Sequence, residues 1–155
     1  MSTAVNSWKQ AGRLFLWRYP PLRKKHAGWH LTAEDEACDS LIALIEAMRA
    51  ERQESRRTIA VTAPPEAVWS VPNFGAPIRE APGPLTLTWD PAFDDLTLMD
   101  AQDRLSLRVG GRRVDDLLAG LKDIRRGEGD YALAPTDARS GPPIWFWWMP
   151  WSGSR

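Results

Sequence analysis

Three runs of strictly alternating residues between 84 and 109 constrain the fold more than any other feature of the chain. Leu85, Leu87 and Trp89 alternate with Thr86, Thr88 and Asp90; Leu96 and Leu98 alternate with Thr97 and Met99; Leu105, Leu107 and Val109 alternate with Arg104, Ser106 and Arg108. Successive side chains of a strand point to opposite faces, so this period of two gives every run one apolar face and one polar face. The intervals Asp90 to Asp95 and Asp100 to Asp103 have the length and the turn residues of hairpin connections. The pattern predicts a three-stranded antiparallel meander over 84–109. Its apolar face needs a cover, and its polar face, with Thr86, Thr88, Thr97, Arg104, Ser106 and Arg108, suits solvent or a partner.

Two amphipathic segments can supply the cover. Ala37, Leu41, Leu44, Ile45 and Met48 recur at three- and four-residue steps, with Glu34, Asp35 and Glu36 at the positive end of the helix dipole and Thr32 placed as a cap. They predict a helix over about 33–56. Val114, Leu117, Leu118, Leu121 and Ile124, with Asp115 and Asp116 early and Gly127 as the stop, predict a second helix over about 112–126. Arg13–Tyr19 reads as a strand ended by Pro20 and Pro21, and Thr58–Thr62 as a short strand. The Pro- and Gly-rich interval Ala63–Pro84 reads as a long connection with one helical turn at Glu66–Trp69, a length often tied to function. Glu128–Pro143 has loop composition. The expected architecture is a single two-layer α+β domain over 1–155, with a largely antiparallel sheet and two main helices.

Composition narrows the classes of function. Twenty Lys and Arg balance twenty Asp and Glu over 155 residues, so the chain lacks the overall field that gathers phosphates or anionic lipid. Dedicated nucleic-acid binding and membrane association are therefore not expected. The six cations of residues 1–33 meet no acid before Glu34. A transit peptide or an anion-binding arm would show that asymmetry, but the strand pattern at Arg13–Tyr19 accounts for the segment structurally. The uncharged run Ile144–Trp151 is well short of the ~20 residues of a membrane-spanning helix. One cysteine, Cys38, excludes an intramolecular disulfide and fits a reducing compartment, so a cytoplasmic location is expected.

Nine tryptophans are the compositional outlier, and four of them, Trp145, Trp147, Trp148 and Trp151, fall in the segment Pro143–Trp151. With Phe146 they concentrate on the order of 1,000 Å² of aromatic surface, more than the roughly 300–600 Å² of apolar patch that a soluble monomer leaves exposed. Both faces of such a strand want cover. It is either a central strand buried on both sides or, as tryptophan's enrichment at hot spots suggests, a binding surface. Asp130 and Tyr131, after the helix stop at Gly127, join these four as candidate recognition residues in a loop.

Catalytic and metal signals are weak. His26, His30 and Glu34 have the spacing of ligands on one helical face, but Gly28 and the cap at Thr32 break that helix, so no metal and no cofactor are expected. His26 and His30 beside Lys24 and Lys25 suit acid-base work on a phosphodiester, which gives an alternative reading as a metal-independent phosphodiesterase or nuclease. No nucleophile elbow, phosphate loop or dinucleotide fingerprint occurs. The sequence thus points to a small protein-interaction domain without catalytic activity, of the inhibitor or immunity kind, with a protein partner or self-association.

Overall fold

Each alternating run does form a strand, and the register between the strands sets where every later surface lies. The computed structural model describes residues 3–20, 27–78, 83–101 and 104–151. The elements in chain order are α1 (Thr3–Ser7), β1 (Leu14–Trp17), β2 (Trp29–Ala33), α2 (Asp35–Arg49), β3 (Ser55–Ile59), β4 (Val61–Thr62), α3 (Glu66–Trp69), β5 (Leu85–Trp89), β6 (Leu96–Ala101), β7 (Arg104–Val109), α4 (Arg113–Arg125), β8 (Asp130–Leu133) and β9 (Ile144–Trp147), with one 3-10 turn at Ala138–Ser140. The strands make a five-stranded sheet, β4-β1-β2-β9-β8, and a four-stranded sheet, β3-β5-β7-β6. Four pairings are antiparallel and three parallel, so the fold is mixed α+β with mostly antiparallel sheets.

The three runs do not pair as a meander. β7 inserts between β5 and β6, antiparallel to β6 and parallel to β5, while the antiparallel neighbour of β5 is β3. Alternation fixes which face of a strand is apolar but is blind to which strand lies beside it, because both orders bury the same leucines. The first helix also ends at Arg49, well before Arg56, and Arg56 and Arg57 belong to β3. Exposed arginines suit a strand face as well as a helix end, so they marked no boundary. Glu34, not Thr32, sits at the N-cap, and Thr32 belongs to β2, with its buried hydroxyl unpartnered among the described residues. Glu128–Pro143 is not all loop, since it contains β8.

The two sheets run into one another at Ala60, the one residue between β3 and β4. There the chain leaves the ladder of one sheet for that of the other, and the Gln10 carboxamide takes the place of a neighbouring strand. Its Nε2 donates to the Ala60 carbonyl at 3.0 Å, and its Oε1 accepts from the Ala60 N–H at 2.8 Å. Both backbone groups are thereby satisfied at a bend that would otherwise orphan them. Helices α2 and α4 pack on each other and fill the side that the sheets share. Leu14 and Leu31 of one sheet, Leu85 and Leu107 of the other, Leu41 of α2 and Leu117 of α4 line one small void of about 20 Å³ at the centre. Each buried leucine contributes roughly 1.5–3 kcal/mol, which makes this apolar contact the main force joining the layers.

Two further contacts fix the layout. Gly120, inside α4, lies where a Cβ would stand 2.6 Å from the ring of Phe146 on β9, so glycine is what lets the helix sit against that strand. Asp95, just before β6, accepts from the backbone N–H groups of Leu96, Thr136 and Asp137 at 2.8, 2.8 and 3.3 Å, and from the Arg113 guanidinium at 3.1 Å. One carboxylate thus clamps the β8–β9 connection to the start of β6 and the start of α4. No helix among the described residues is long and apolar enough to cross a membrane.

Candidate functional site

The C-terminal tryptophans fall on a central strand, because β9 lies between β2 and β8. Ile144 and Phe146 face the helices, whereas Trp145 and Trp147 face the other side, where α3 and the chain that follows it lie. There they close around His30. The imidazole is 0% exposed. It stacks on Trp145 at 5.8 Å, on Trp147 at 6.1 Å and on Trp17 at 5.8 Å, and meets Tyr19 edge-on at 4.8 Å and Phe74 at 6.1 Å. The Trp147 indole donates to His30 Nδ1 at 2.9 Å, which places the lone pair on that nitrogen and the ring proton on Nε2.

The indoles act as clasps as well as filler. Among the described residues six of the nine donate to another group: Trp8 to the Ser40 carbonyl, Trp17 to the Tyr19 hydroxyl, Trp89 to the Glu51 carbonyl, Trp145 to the Ala27 carbonyl, Trp147 to His30, and Trp151 to Glu34. An indole combines a large apolar area with one donor that must be met when buried, and here that donor ties segments far apart in the chain.

The proposed binding residues therefore divide. Trp147 is 7% exposed and Trp145 half-buried, both within the aromatic cluster. Trp151 packs edge-on against Phe15 at 6.3 Å and donates to Glu34, whose carboxylate also accepts from the Arg13 side chain and backbone. The Arg13 side-chain bond is the largest influence on Glu34 and, against the cost of burial, holds its carboxyl below the usual range. Trp148, 38% exposed, is the one of the four that counts as exposed. Asp130 and Tyr131 lie in the edge strand β8 and not in a loop; Tyr131 stacks on Phe146 at 5.8 Å and donates to Asp123 at 2.9 Å. Burial, with the Asp123 carboxylate adding to it, pushes the Tyr131 phenol well up.

His26, Lys24 and Lys25 lie outside the described residues. His30 sits in β2 and Glu34 at the head of α2, so the two do not share a helical face. Among the described residues no group of His, Cys, Asp and Glu side chains has the arrangement of a metal site.

Two surfaces that the sequence only partly marked are open. Among the described residues no helix or strand packs closely on the outer face of the four-stranded sheet, although Thr88 and Thr97 on it are themselves buried, at 7% and 8% exposure. Register across it gives one row Arg56, Thr88, Arg108, Thr97 and a second row Thr58, Thr86, Ser106, Met99, with Arg104 beyond. None of these outward positions is acidic. Arg108 pairs with Asp90 at the rim and lies over the Phe93 ring, whereas Arg56 and Arg104 form no ion pair among the described residues. Met99 is 52% exposed.

The second surface is a cleft of about 410 Å³ between β6 and the end of the five-stranded sheet. Its walls include Arg18, Trp29, Leu98, Met99, Arg139 and Gly141. Met99 was legible in advance from the outward phase of its run; Arg139 lay in a stretch without periodicity and gave no signal. No family model, no curated protein and no solved structure matches this chain.

Proposed function

We propose that the protein is a non-catalytic interaction domain, of the inhibitor or immunity kind, which docks an acidic partner protein on the outer face of its four-stranded sheet. The observation that carries this reading is the face itself: two cross-strand rows in which Arg56, Arg104 and Arg108 are exposed beside hydroxyl side chains, with Asp90 at the rim paired to Arg108 and Met99 exposed at the edge. Arginine and methionine are enriched at interfaces, and same-sign charge on a flat face steers the encounter with an opposite one. Of the aromatic residues that would compete for this role, Trp145 and Trp147 are turned inward around His30 and Trp151 packs on Phe15, which leaves Trp148 exposed. The phosphodiesterase alternative has no observation in its favour, since an acid or base serving a phosphodiester must reach it and His30 has no exposed surface.

The test is capture of the tagged protein at natural abundance, washed at moderate salt, beside the double variant Arg56→Glu/Arg104→Glu. The expected result is one near-stoichiometric acidic protein, lost with the double variant while the thermal midpoint stays unchanged. An empty bait, or a partner retained by the double variant, overturns the sheet-face reading. Bound RNA or DNA that is cleaved, with cleavage lost in His26→Gln at an unchanged thermal midpoint, returns the weight to the catalytic alternative.

A further inference from the structure

We infer that the cleft beside β6 receives an extended segment of polypeptide, which adds as a fifth strand to the four-stranded sheet and carries an acidic side chain to Arg139. The inference rests on reading the protein as a protein-binding domain and adds the form in which part of the partner binds.

The backbone of β6 supplies the first argument. The Gly110 N–H donates to the Asp95 carbonyl at 3.1 Å, so the position opposite Asp95 belongs to the hydrogen-bonded class of antiparallel pairs. The two classes alternate along the ladder, which assigns Thr97 and Met99 to bonds with β7 and turns the backbone groups of Leu96, Leu98 and Asp100 to the outer edge. The Leu96 N–H confirms the phase, because it is taken by the Asp95 carboxylate on that same edge at 2.8 Å. β6 ends the sheet, and among the described residues nothing bonds the outward N–H and C=O groups of Leu98 and Asp100. Both residues line the cleft.

An unpaired strand edge is a template for another chain, and proteins that do not use one blunt it with proline, a bulge, lysine or a covering element. β6 contains no proline, and its six residues pair with β7 in unbroken register. Among the described residues the edge opens into a cavity, and its one charged residue, Asp100, is bonded to Arg18 at the cavity's end.

The cavity supplies the chemistry of the occupant. The floor is Trp29, with the Arg18 guanidinium 5.2 Å above its ring and bonded to Asp100 at 3.2 Å, which closes one end. Across from β6 stands the loop Arg139–Pro142. The Arg139 guanidinium lines the cleft and makes no ion pair or hydrogen bond among the described residues. Gly141 adopts φ +137°, and a Cβ placed on it would meet nothing within 4 Å, so the far wall stays low enough for a backbone to lie against. A small molecule would leave the main-chain donors and acceptors of the edge unmet. An extended peptide meets them at the strand repeat of about 3.3 Å per residue, with alternate side chains directed to Trp29 and Met99 on either side.

Selection of phage-displayed random peptides of about twelve residues on the full-length protein, with counter-selection on Arg139→Glu, tests this. The expected winners alternate β-branched or aromatic residues and hold one Asp or Glu. Synthetic winners should lose at least about tenfold in affinity against Arg139→Glu, and they should protect the Leu98 and Asp100 amides from hydrogen exchange. N-methylation of alternate peptide residues should abolish binding in one phase and spare it in the other. The inference is overturned by a selection without winners, by winners indifferent to both methylation phases, or by winners that protect amides elsewhere. A natural partner lost with Arg56→Glu/Arg104→Glu but held at full affinity by Arg139→Glu would sink the cleft and leave the sheet-face reading standing.

Discussion

The Trp147 indole donates to His30 Nδ1 at 2.9 Å across the β9–β2 pairing, joining the last strand of the fold to one of the first at the centre of an aromatic cluster. A buried acceptor left without its donor costs roughly 1–3 kcal/mol, whereas replacing both partners by apolar rings costs far less. Trp147→Phe and His30→Phe should therefore each destabilise, and the double variant should be much more stable than the sum of the two losses implies. The cavity left by the smaller ring appears in single and double variants alike and cancels in the cycle. Urea denaturation of the four proteins measures the coupling, expected at about 1 kcal/mol or more; strict additivity would show that the bond contributes nothing beyond packing.

Asp95 and Glu34 are two of the carboxylates that the fold holds below their ordinary range, and they should make it sensitive to acid. Burial is the largest single influence on Asp95 and raises its pKa, but the N–H groups of Thr136, Leu96 and Asp137 together with the Arg113 charge outweigh it and leave the carboxyl below its ordinary value. Glu34 is lowered chiefly by the Arg13 side chain. A pKa lower in the folded state contributes stability that is present above the unfolded carboxylate value of about 4 and is lost as the pH falls through the folded one. The denaturant midpoint should drop on acidification below about pH 5, and the drop should be smaller in Asp95→Asn and in Glu34→Gln. Asp95→Asn should also lower stability at neutral pH, by about 1–3 kcal/mol, because an amide replaces one accepting oxygen with a donor facing donors. An unaltered acid profile in both variants would remove these carboxylates from the account.

What could be read from the chain follows from which physical signals are local. Period two in Leu85–Trp89 and period 3.6 in Val114–Ile124 are properties of one segment against one core, and both elements stand where the pattern put them. The single helical turn at Glu66–Trp69 was equally visible, since Pro65 stops the preceding chain and frees the next residues to wind. Strand order was not, because nothing in Leu105–Val109 records that it pairs with Leu85–Trp89 and not only with its hairpin neighbour. β2 was missed for a related reason: Trp29-His-Leu-Thr-Ala33 is buried on both faces and so shows no alternation, and its threonine imitates a helix cap; β8, four residues at a sheet edge with none buried, is too short to show a period. The candidate site was legible in the outward phase of Thr86, Thr97, Met99 and Arg108. The free edge at Leu98 and Asp100 is a property of the missing neighbour, which no residue in the strand encodes.

Cys38 should be inert in the folded protein. Burial, with the Asp35 and Asp39 carboxylates adding to it, pushes its thiol up to about 12, and the S–H donates to the Ala33 carbonyl at 3.7 Å. Thiolate is the reactive form, so a disulfide reagent at about pH 8 should label the native protein only as fast as it opens, and should label it at once in denaturant. A pKa raised on folding contributes stability that is complete below the unfolded thiol value of about 8.5 and is lost as the pH climbs toward the folded one. Stability should thus decline above about pH 9, with a gentler decline in Cys38→Ala. Fast labelling of native protein would mean that the helix face is open.

Gly120 sets two principles against each other, and their magnitudes decide the sign. Alanine in a helix interior is favoured over glycine by about 1 kcal/mol, so helix propensity alone makes Gly120→Ala stabilising. The new Cβ would stand 2.6 Å from the Phe146 ring, which is itself 0% exposed and stacked on Tyr131. Forcing a methyl into a packed core costs roughly 1–3 kcal/mol, and a ring held on both sides has nowhere to turn. Gly120→Ala should lower stability by about 1 kcal/mol in the native background. In a Phe146→Leu background the obstruction is gone and the same substitution should become neutral or stabilising, as propensity dictates. Thermal unfolding of the two pairs reads the sign directly. The same sign in both backgrounds would show that the ring is not what holds position 120 to glycine.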